Sequence, residues 1–278
     1  MITDTFFTIG KTHTICQDYA EHAPDYVIVS DGCSSAPESN IGAILLSRAA
    51  KLFLRKFPFR DGTNFTQSTL ASAYAYARAM ELHEDSLLAT LLTVKVVDSK
   101  FRVVIAGDGV VAARLRNTSK WIVLEYQYPS GAPFYLRYLL DPAVEKNYIN
   151  MFGTSAKQHR FDIDCSNGSI DEGFTAVFDK KEEGSLGPYY MDFDIDDYDA
   201  VAILSDGTSS FLNSEAGVPV SVPLHSVLCE VLNFKNYSGA FVQRRCKAAF
   251  KKFSASNWHN SDDFSMGVVY HPETVATI

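Results

Sequence analysis

Three short apolar runs in this chain each end in an acidic residue beside glycine. They are YVIVSDG at residues 26–32, FRVVIAGDG at 101–109 and AVAILSDG at 200–207. A fourth acidic cluster, SDDFS at 261–265, lies just before another apolar run, Met266–Tyr270. Such runs predict strands, and glycine lets the backbone turn or approach closely where a strand ends. A fold that gathers these ends in one place builds a pocket of carboxylate oxygens, the ligands that hard divalent cations prefer.

A single Asp-Gly pair predicts no more than a turn, because this dipeptide is ordinary turn chemistry. Asp61-Gly62 has no apolar run before it, and we interpret it as a plain turn. Three pairs that follow strands, together with Asp262-Asp263 at a strand start, are harder to explain as turns alone. The combination favours a metal site that no single member indicates.

The composition is that of a globular protein with a large core. Of 278 residues, 46% are hydrophobic and 13% aromatic, and the first residues lack the basic and apolar regions of a signal peptide. No apolar run is long enough to span a membrane, so we expect a soluble protein of the cytoplasm. The net charge of −8 argues against non-specific binding to nucleic acid or to an anionic membrane.

The cysteines indicate neither a disulfide framework nor a zinc site. There are five, an odd number, and they are widely spaced with no CxxC motif, so we interpret them as reduced thiols. None has the C-x5-R spacing of a cysteine-dependent phosphatase. The GxxxxGK[ST] phosphate loop, the GxSxG elbow and the HExxH zinc motif are also absent.

Strand and helix patterns alternate in blocks rather than as regular βαβ units. The β-branched and aromatic content predicts strands at Thr3–Ile9, Asp25–Ser30, Leu87–Val97, Phe101–Ala106, Val110–Leu115 and Trp121–Tyr126. Helical periodicity predicts helices at Asn40–Phe57 and Thr66–Leu82, after Pro223, and through Val242–Phe253. The connections at 98–100 and 107–109 are so short that we expect the middle strands to form an antiparallel meander.

Residues 127–199 depart from this pattern. They hold glycine, proline, many aromatic residues and most of the acidic run MDFDIDDYDA at 191–200. We interpret them as an irregular inserted subdomain at the edge of the pocket, where substrate selection often resides, within a single domain of residues 1–278. The chain as a whole is predicted to be α+β, with two antiparallel sheets packed face to face and helices on the outside.

Six motifs in order resemble the metal-dependent protein serine/threonine phosphatases of the PP2C family. They are QDYA at 17–20, SDG at 30–32, LLATLL at 87–92, GDG at 107–109, SDG at 205–207 and DDFS at 262–265. Each is weak alone, but six in this order across nearly the whole chain are fairly specific. The stretch GKTHTICQDYA is similar to a divergent bacterial branch of the family.

The resemblance implies an α-β-β-α sandwich that holds two Mg²⁺ or Mn²⁺ ions. On the matched motifs, Asp31 would bridge the two metals and the carbonyl of Gly32 would join one of them. Asp206 and Asp262 would complete the other. A hydroxide that bridges two such ions can attack phosphorus directly and in line, without a phosphoenzyme.

The resemblance also assigns outer positions. Asp18 would hold a metal-bound water, and Asp108 would contribute to a third, weaker metal site. His13 stands where many relatives carry an arginine that grips the substrate phosphate, so we interpret His13 as a phosphate contact and a candidate general acid. The alternative is a structural histidine at a strand end.

Two further positions differ from better-known relatives. Gln17 stands where many carry an acid, which predicts weaker affinity for one ion rather than its loss. Cys33 stands where eukaryotic members often have histidine after the Asp-Gly pair, and a thiol is a poor proton donor to the leaving group at neutral pH.

The sequence therefore favours an Mg²⁺- or Mn²⁺-dependent phosphatase acting on phosphoserine and phosphothreonine in proteins. The similarity of the motifs to a bacterial branch indicates that the phosphatase is paired in signalling with a cognate kinase. Two alternatives stay open. One is a catalytically weak relative kept as a regulatory or binding module, as His13 and Gln17 suggest, and the other is a two-metal phosphatase for a small-molecule phosphoester. Retention of Asp31, Gly32 and the other two ligand positions together favours an active enzyme.

Overall fold

The computed structural model describes residues 1–179, 188–215 and 217–272. Its strands are β1 (Ile2–Thr8), β2 (Asp18–Ala23), β3 (Tyr26–Asp31), β4 (Leu91–Val97), β5 (Lys100–Ala106), β6 (Gly109–Leu115), β7 (Lys120–Gln127), β8 (Ser155–Asp164), β9 (Ser169–Asp179), β10 (Tyr189–Asp194), β11 (Tyr198–Leu204), β12 (Phe211–Asn213), β13 (Val220–Ser221), β14 (Trp258–Asn260) and β15 (Phe264–Tyr270). Its α-helices are α1 (Ser39–Lys56), α2 (Gly62–Ala79), α3 (Pro142–Phe152), α4 (Leu224–Val231) and α5 (Phe241–Ala255). Short 3₁₀ turns lie at Glu84–Leu87, Leu136–Leu140 and Asp206–Ser209.

Most of these strands form two antiparallel sheets that pack face to face. The first sheet has the order β1-β15-β11-β6-β7-β8-β9, and the second has the order β10-β5-β4-β3-β2. Fully buried aliphatic side chains fill the space between them, with Val29 and Leu92 from the second sheet meeting Val111 and Ile203 from the first. Each such side chain contributes about 1.5–3 kcal/mol when it leaves water, so this interior is a main source of stability.

Helices cover the outer faces of both sheets. The α1 and α2 helices place Phe53 and Phe65 against Ile28 and Leu91 of the second sheet. On the first sheet, α4 and α5 bury apolar stripes that include Val227, Leu228, Val242, Cys246 and Phe253 against Met266 and its neighbours. The α-β-β-α sandwich of two antiparallel sheets expected from the sequence is therefore confirmed.

The prediction of one continuous meander is wrong at residues 107–109. The chain leaves β5 in the second sheet and enters β6 in the first, so the short connection crosses between sheets. Gly107 and Gly109 have φ values of 93° and 133°, and a Cβ at Gly109 would lie 2.7 Å from the carbonyl oxygen of Leu204. These glycines allow the sharp crossing that carries Asp108 out of the strands.

Residues 127–199 are more regular than their composition indicates. The strands β8 and β9 extend the first sheet beyond β7, and β10 pairs with β5 at the edge of the second sheet. Exposed side chains on β9, such as Phe174 and Val177, break the alternation that normally marks a strand. The inserted segment therefore completes both sheets as well as bordering the pocket.

Three local predictions also need correction. The predicted strand Leu87–Val97 begins only at Leu91, because Leu87 ends a 3₁₀ turn and the link after it makes only an isolated bridge, between Ala89 and Gly32. The β2 strand is absent from the sequence prediction, since its polar residues hide the pattern. Asp61 is more than a plain turn residue, because its carboxylate accepts the Thr63 N–H at 2.9 Å and caps α2.

None of the helices in the described ranges is long and apolar enough to cross a membrane.

Candidate metal centre

The strand ends that carry acidic residues meet at one edge of the sandwich. Pairing of β2 with β3 sets Asp18 opposite Asp31. The carboxyl of Asp31 lies in side-chain contact with those of Asp18 and Asp206. Asp108 and Asp262 are close enough to Asp206 for the charges to repel one another. The structure thus brings together the five carboxylates that the motifs singled out, with Asp31 between two of the others.

Backbone contacts hold the Asp31-Gly32 corner in place. The N–H of Asp31 donates to Thr90 Oγ1 at 3.0 Å, and the carbonyl of Asp31 accepts the Thr90 N–H at 2.8 Å. Gly32 N–H donates to the carbonyl of Gln17 at 3.1 Å. A Cβ at Gly32 would lie 2.6 Å from the carbonyl oxygen of Ser39, so only glycine fits between this corner and the start of α1.

Asp18 is a buried carboxylate with no cationic partner among the described residues. It is 3% exposed, and Oδ2 accepts a hydrogen bond from Ser205 Oγ at 2.8 Å, whereas Oδ1 has no hydrogen-bond partner within the described ranges. Ser205 Oγ in turn accepts the Ser265 N–H at 2.9 Å. Burial, only partly offset by the Ser265 and Ser205 hydroxyls, raises the pKa of Asp18 from an ordinary 3.8 to about 7.

The neighbouring acids are perturbed in the same direction. Burial, followed by the charges of Asp18 and Asp206, raises the pKa of Asp31 well above its usual range. Burial and the charge of Asp206 likewise raise the pKa values of Asp108 and Asp262. The negative charge on each of these groups is destabilised, because burial removes water and neighbouring acids repel it.

A cavity of about 330 Å³ opens beside these groups. It is bordered by Asp108, Asp206 and Asp262, with Glu125 and Tyr128 on the side of β7, and no lysine or arginine of the described chain lines it. The described lining is therefore acidic, and none of the described residues that border the cavity carries an ammonium or guanidinium group.

Asp262 and Asp263 are adjacent in sequence but differ in environment. The Asp262 side chain is 43% exposed beside the cavity, whereas that of Asp263 is 1% exposed. Asp263 accepts the N–H groups of Gly10 at 2.7 Å and Gln17 at 2.5 Å. Asp263 therefore fixes the loop before β2, which leaves Asp262 as the candidate ligand.

His13 lies on that loop between the two acids. Its Nε2 is 3.4 Å from Asp262 Oδ1, and its Nδ1 is 3.2 Å from Asp263 Oδ2. The imidazole is 19% exposed. The structure thus places His13 against a predicted ligand, at the border of the acidic group.

Gln17 and Cys33, the other two positions that differ from better-known relatives, both have partners in the structure. Gln17 Nε2 donates to Ser39 Oγ at 2.8 Å, which ties the start of β2 to α1. Cys33 Sγ is 3.2 Å from Ser35 Oγ and also contacts the hydroxyl of Tyr135. Both side chains therefore take part in local packing beside the carboxylates.

Sequence reasoning missed Tyr135 and Glu125. Tyr135 lies in the inserted segment and carried no signal, because its contact with Cys33 joins distant parts of the chain. Glu125 accepts hydrogen bonds from Ser209 Oγ at 3.1 Å and Gln127 Nε2 at 2.9 Å at the cavity edge. Its position as the one acid in the apolar run WIVLEY was a usable signal.

The donor set fits a hard divalent cation. Among residues 1–179, 188–215 and 217–272, no three His, Cys, Asp or Glu side chains form a ready-made cage for one ion. Mg²⁺ does not require such a cage, since one or two carboxylates with waters commonly hold it. All the candidate donors are oxygens, and Oδ1 of Asp18 and of Asp206 are buried without a partner in the described structure. A cation would relieve both the repulsion and the missing contacts.

Comparisons with known proteins agree with this geometry. Residues 10–129 match the family model of protein phosphatase 2C, whereas no curated protein matches the sequence significantly. Among solved structures, the serine/threonine phosphatase Stp1 from Staphylococcus aureus is similar, with a TM-score of 0.56, 10% identity, and coverage of 98% of this chain and 96% of that one.

Two further solved structures share the fold. The serine/threonine phosphatase of S. agalactiae has a TM-score of 0.56 and 12% identity, with 97% of this chain and 99% of that chain covered. The catalytic domain of the serine threonine protein phosphatase PstP, in complex with two manganese ions, has a TM-score of 0.51 and 12% identity, with 96% of each chain covered. Residues 10–129 are thus similar to the protein phosphatase 2C family, and the chain as a whole has the fold of bacterial PP2C-type serine/threonine phosphatases, as its six motifs predicted.

Proposed function

We propose that this chain is an Mg²⁺- or Mn²⁺-dependent phosphatase for phosphoserine and phosphothreonine in proteins, paired in signalling with a cognate kinase. The observation that carries the proposal is the contact of Asp31 with both Asp18 and Asp206, at a place where the described structure offers no cationic side chain. The family match of residues 10–129 and the bacterial phosphatase fold support the same reaction.

The carboxylates take unequal parts in this proposal. Asp31, which contacts Asp18 and Asp206, would be shared by two ions, and the carbonyl of Gly32 would add an oxygen to one of them. Asp206 and Asp262 would hold the other ion. Divalent ions bound there would supply a water of lowered pKa and polarise the phosphoryl group.

The remaining two acids stand further out. Asp18 keeps one oxygen on Ser205 and offers the other, unpartnered one to a water at the metal site. Asp108, on the crossing between sheets, borders the cavity and contributes to a third, weaker ion site. Their shared role is to fix the position of water and cation rather than to contact the substrate carbon skeleton.

His13 orients Asp262 and donates to the substrate phosphate. Its contacts with Asp262 and Asp263 hold the ring in one orientation. When Asp262 is engaged by a metal, Nε2–H is available to a phosphate oxygen at the same border. One imidazole donor replaces the bidentate grip of an arginine, so we expect weak binding of the phosphate itself and a high KM.

The test is hydrolysis of an aryl phosphate and of a phosphothreonine peptide with Mn²⁺. We expect Asp206→Ala or a chelator to lower the rate by about 10³-fold, as loss of several kcal/mol of metal assistance requires. Asp61→Asn is the matched control, because Asp61 is also an Asp-Gly acid but only caps α2. Activity that survives both Asp206→Ala and the chelator would rule out the two-metal reaction.

The same assay separates the alternatives. Binding of the phosphopeptide without hydrolysis of either substrate would favour the regulatory module, and hydrolysis of the aryl phosphate alone would favour a small-molecule substrate. For His13→Ala we expect a kcat/KM lower by about 10–100-fold, the loss expected for one hydrogen bond to a charged phosphate, with partial recovery in His13→Gln. Unchanged kinetics would return His13 to a structural role.

A further inference from the structure

Two cysteines that are distant in sequence are neighbours in the fold. Cys165 directly follows β8, and its N–H donates to the carbonyl of Ser119 at 3.0 Å. Cys229 lies in α4, which packs against β8, and the two thiols are close enough to perturb each other's ionisation. This pair lies at the end of β8 opposite to Lys157, the residue that pairs with Gln127 at the cavity. It is therefore separate from the carboxylate site.

Packing keeps Cys165 and Cys229 next to each other. Cys165 is 7% exposed and belongs to the same apolar cluster as Trp121 and Val227, and Cys229 packs against that cluster. Asn233, just beyond α4, donates from Nδ2 to the carbonyl of Cys165 at 2.9 Å. The helix and the strand end are thus tied by a second contact beside the thiols.

Only one of the two thiols is open to reagents. Cys229 is half-buried and lines a cleft of about 300 Å³ together with Gly168, His225 and Trp258, whereas Cys165 lies behind it. The interaction between the thiols lowers the pKa of Cys229 and raises that of Cys165. The accessible sulfur is therefore the better nucleophile, which is the arrangement of an attacking and a resolving cysteine.

We propose that Cys165 and Cys229 form a reversible disulfide, with a small-molecule disulfide such as oxidised glutathione as the oxidant. The Cys229 thiolate attacks one sulfur of the oxidant, and the first glutathione leaves with the proton that Cys229 loses. The Cys165 sulfur then attacks Cys229 Sγ, and the second glutathione leaves with the Cys165 proton. Two protein thiols are oxidised, and one glutathione disulfide is reduced to two thiols.

The bond would join the first sheet to the helix layer that covers it. It closes a long loop of chain between β8 and α4, and cross-links across long loops stabilise by restricting the unfolded state. Because the pair is remote from the cavity, the inference does not depend on the phosphatase proposal.

The experiment treats the full chain with oxidised glutathione, alkylates the remaining thiols under denaturing conditions and counts them by mass spectrometry. Of the five cysteines, we expect three to stay free and one cross-linked peptide pair to contain Cys165 and Cys229. Tm should rise by about 5 °C and return with a reducing thiol.

Two variants make the test specific. Cys16→Ser, the matched control, should still form the cross-link, and Cys229→Ser should not. If Cys229→Ser fails to fold, the peptide map of the wild-type chain decides alone. Five free thiols after treatment, or glutathione retained on Cys229 without a cross-link, would overturn the proposal.

Discussion

The adjacent strands β6 and β11 have charged residues at both ends of the pair. At one end the charges are paired, and at the other end they are not. At one end Arg114 donates two hydrogen bonds to Asp199, at 2.6 and 2.8 Å, and Asn117 N–H adds a third at 3.1 Å. At the other end Asp206 contacts Asp31, and Asp108 lies near Asp206 and Asp262, beside a cavity that no lysine or arginine of the described structure lines.

The first end is a finished structural ion pair. Asp199 is 3% exposed, and the guanidinium of Arg114 lies 4.8 Å and 5.6 Å from the ring centres of Tyr237 and Tyr270. A buried carboxylate is tolerated when charge and hydrogen bonds are both satisfied. The acids at the other end lack such satisfaction, so the comparison shows where the chain leaves charge for a ligand to neutralise.

The largest effect on stability is expected from Arg114→Met. The substitution leaves Asp199 buried without its cation, which should lower the free energy of unfolding by about 3–5 kcal/mol in a denaturant titration. Lys120→Met, at an exposed position on the neighbouring strand, should change it by less than about 0.5 kcal/mol. A loss for Arg114→Met no larger than that of the control would mean that the ion pair is not the structural element we describe.

For Asp18→Asn in metal-free protein at pH 8, we expect the free energy of unfolding to increase rather than decrease. Asparagine keeps an acceptor for Ser205 Oγ but removes an uncompensated charge, so stability should rise by about 2 kcal/mol. With saturating Mn²⁺ the gain should shrink or reverse, because the charge is then compensated in the wild type. Destabilisation of the metal-free variant would contradict the comparison.

A smaller effect is expected from pH alone. The folded pKa of Asp18 is raised to about 7 from 3.8, so its stabilising contribution is complete below the ordinary value and is lost as pH rises through about 7. Tm of the metal-free protein should therefore fall between pH 5 and pH 8, and less steeply in Asp18→Asn. A pH profile that Asp18→Asn leaves unchanged would remove this carboxyl as the source.

Much of this account follows from local patterns, and the rest depends on tertiary contacts. Buried strands such as β3 and β11 could be predicted because their apolar runs end in Asp-Gly. The crossing at Asp108 could not, since a three-residue connection between antiparallel strands is the same in sequence whether or not it changes sheet. The contact of Cys165 with Cys229 also depends on how distant elements pack.

The same distinction between local sequence patterns and tertiary contacts applies to the candidate metal centre. Order and spacing singled out Asp31, Asp206 and Asp262, and the structure places them near one another. The different environments of Asp262 and Asp263 depend on the loop from Gly10 to Gln17, whose path is set by hydrogen bonds rather than by periodicity.

The central claim is that the uncompensated carboxylates hold divalent cations. Calorimetric titration of Mn²⁺ into the metal-free chain at pH 7 tests it directly. We predict binding of at least two ions per chain with release of protons, because Asp18, whose pKa is about 7, is partly protonated before the metal enters, and we predict a smaller stoichiometry in Asp206→Asn. No binding at millimolar Mn²⁺, or a titration that Asp206→Asn leaves unchanged, would contradict the account.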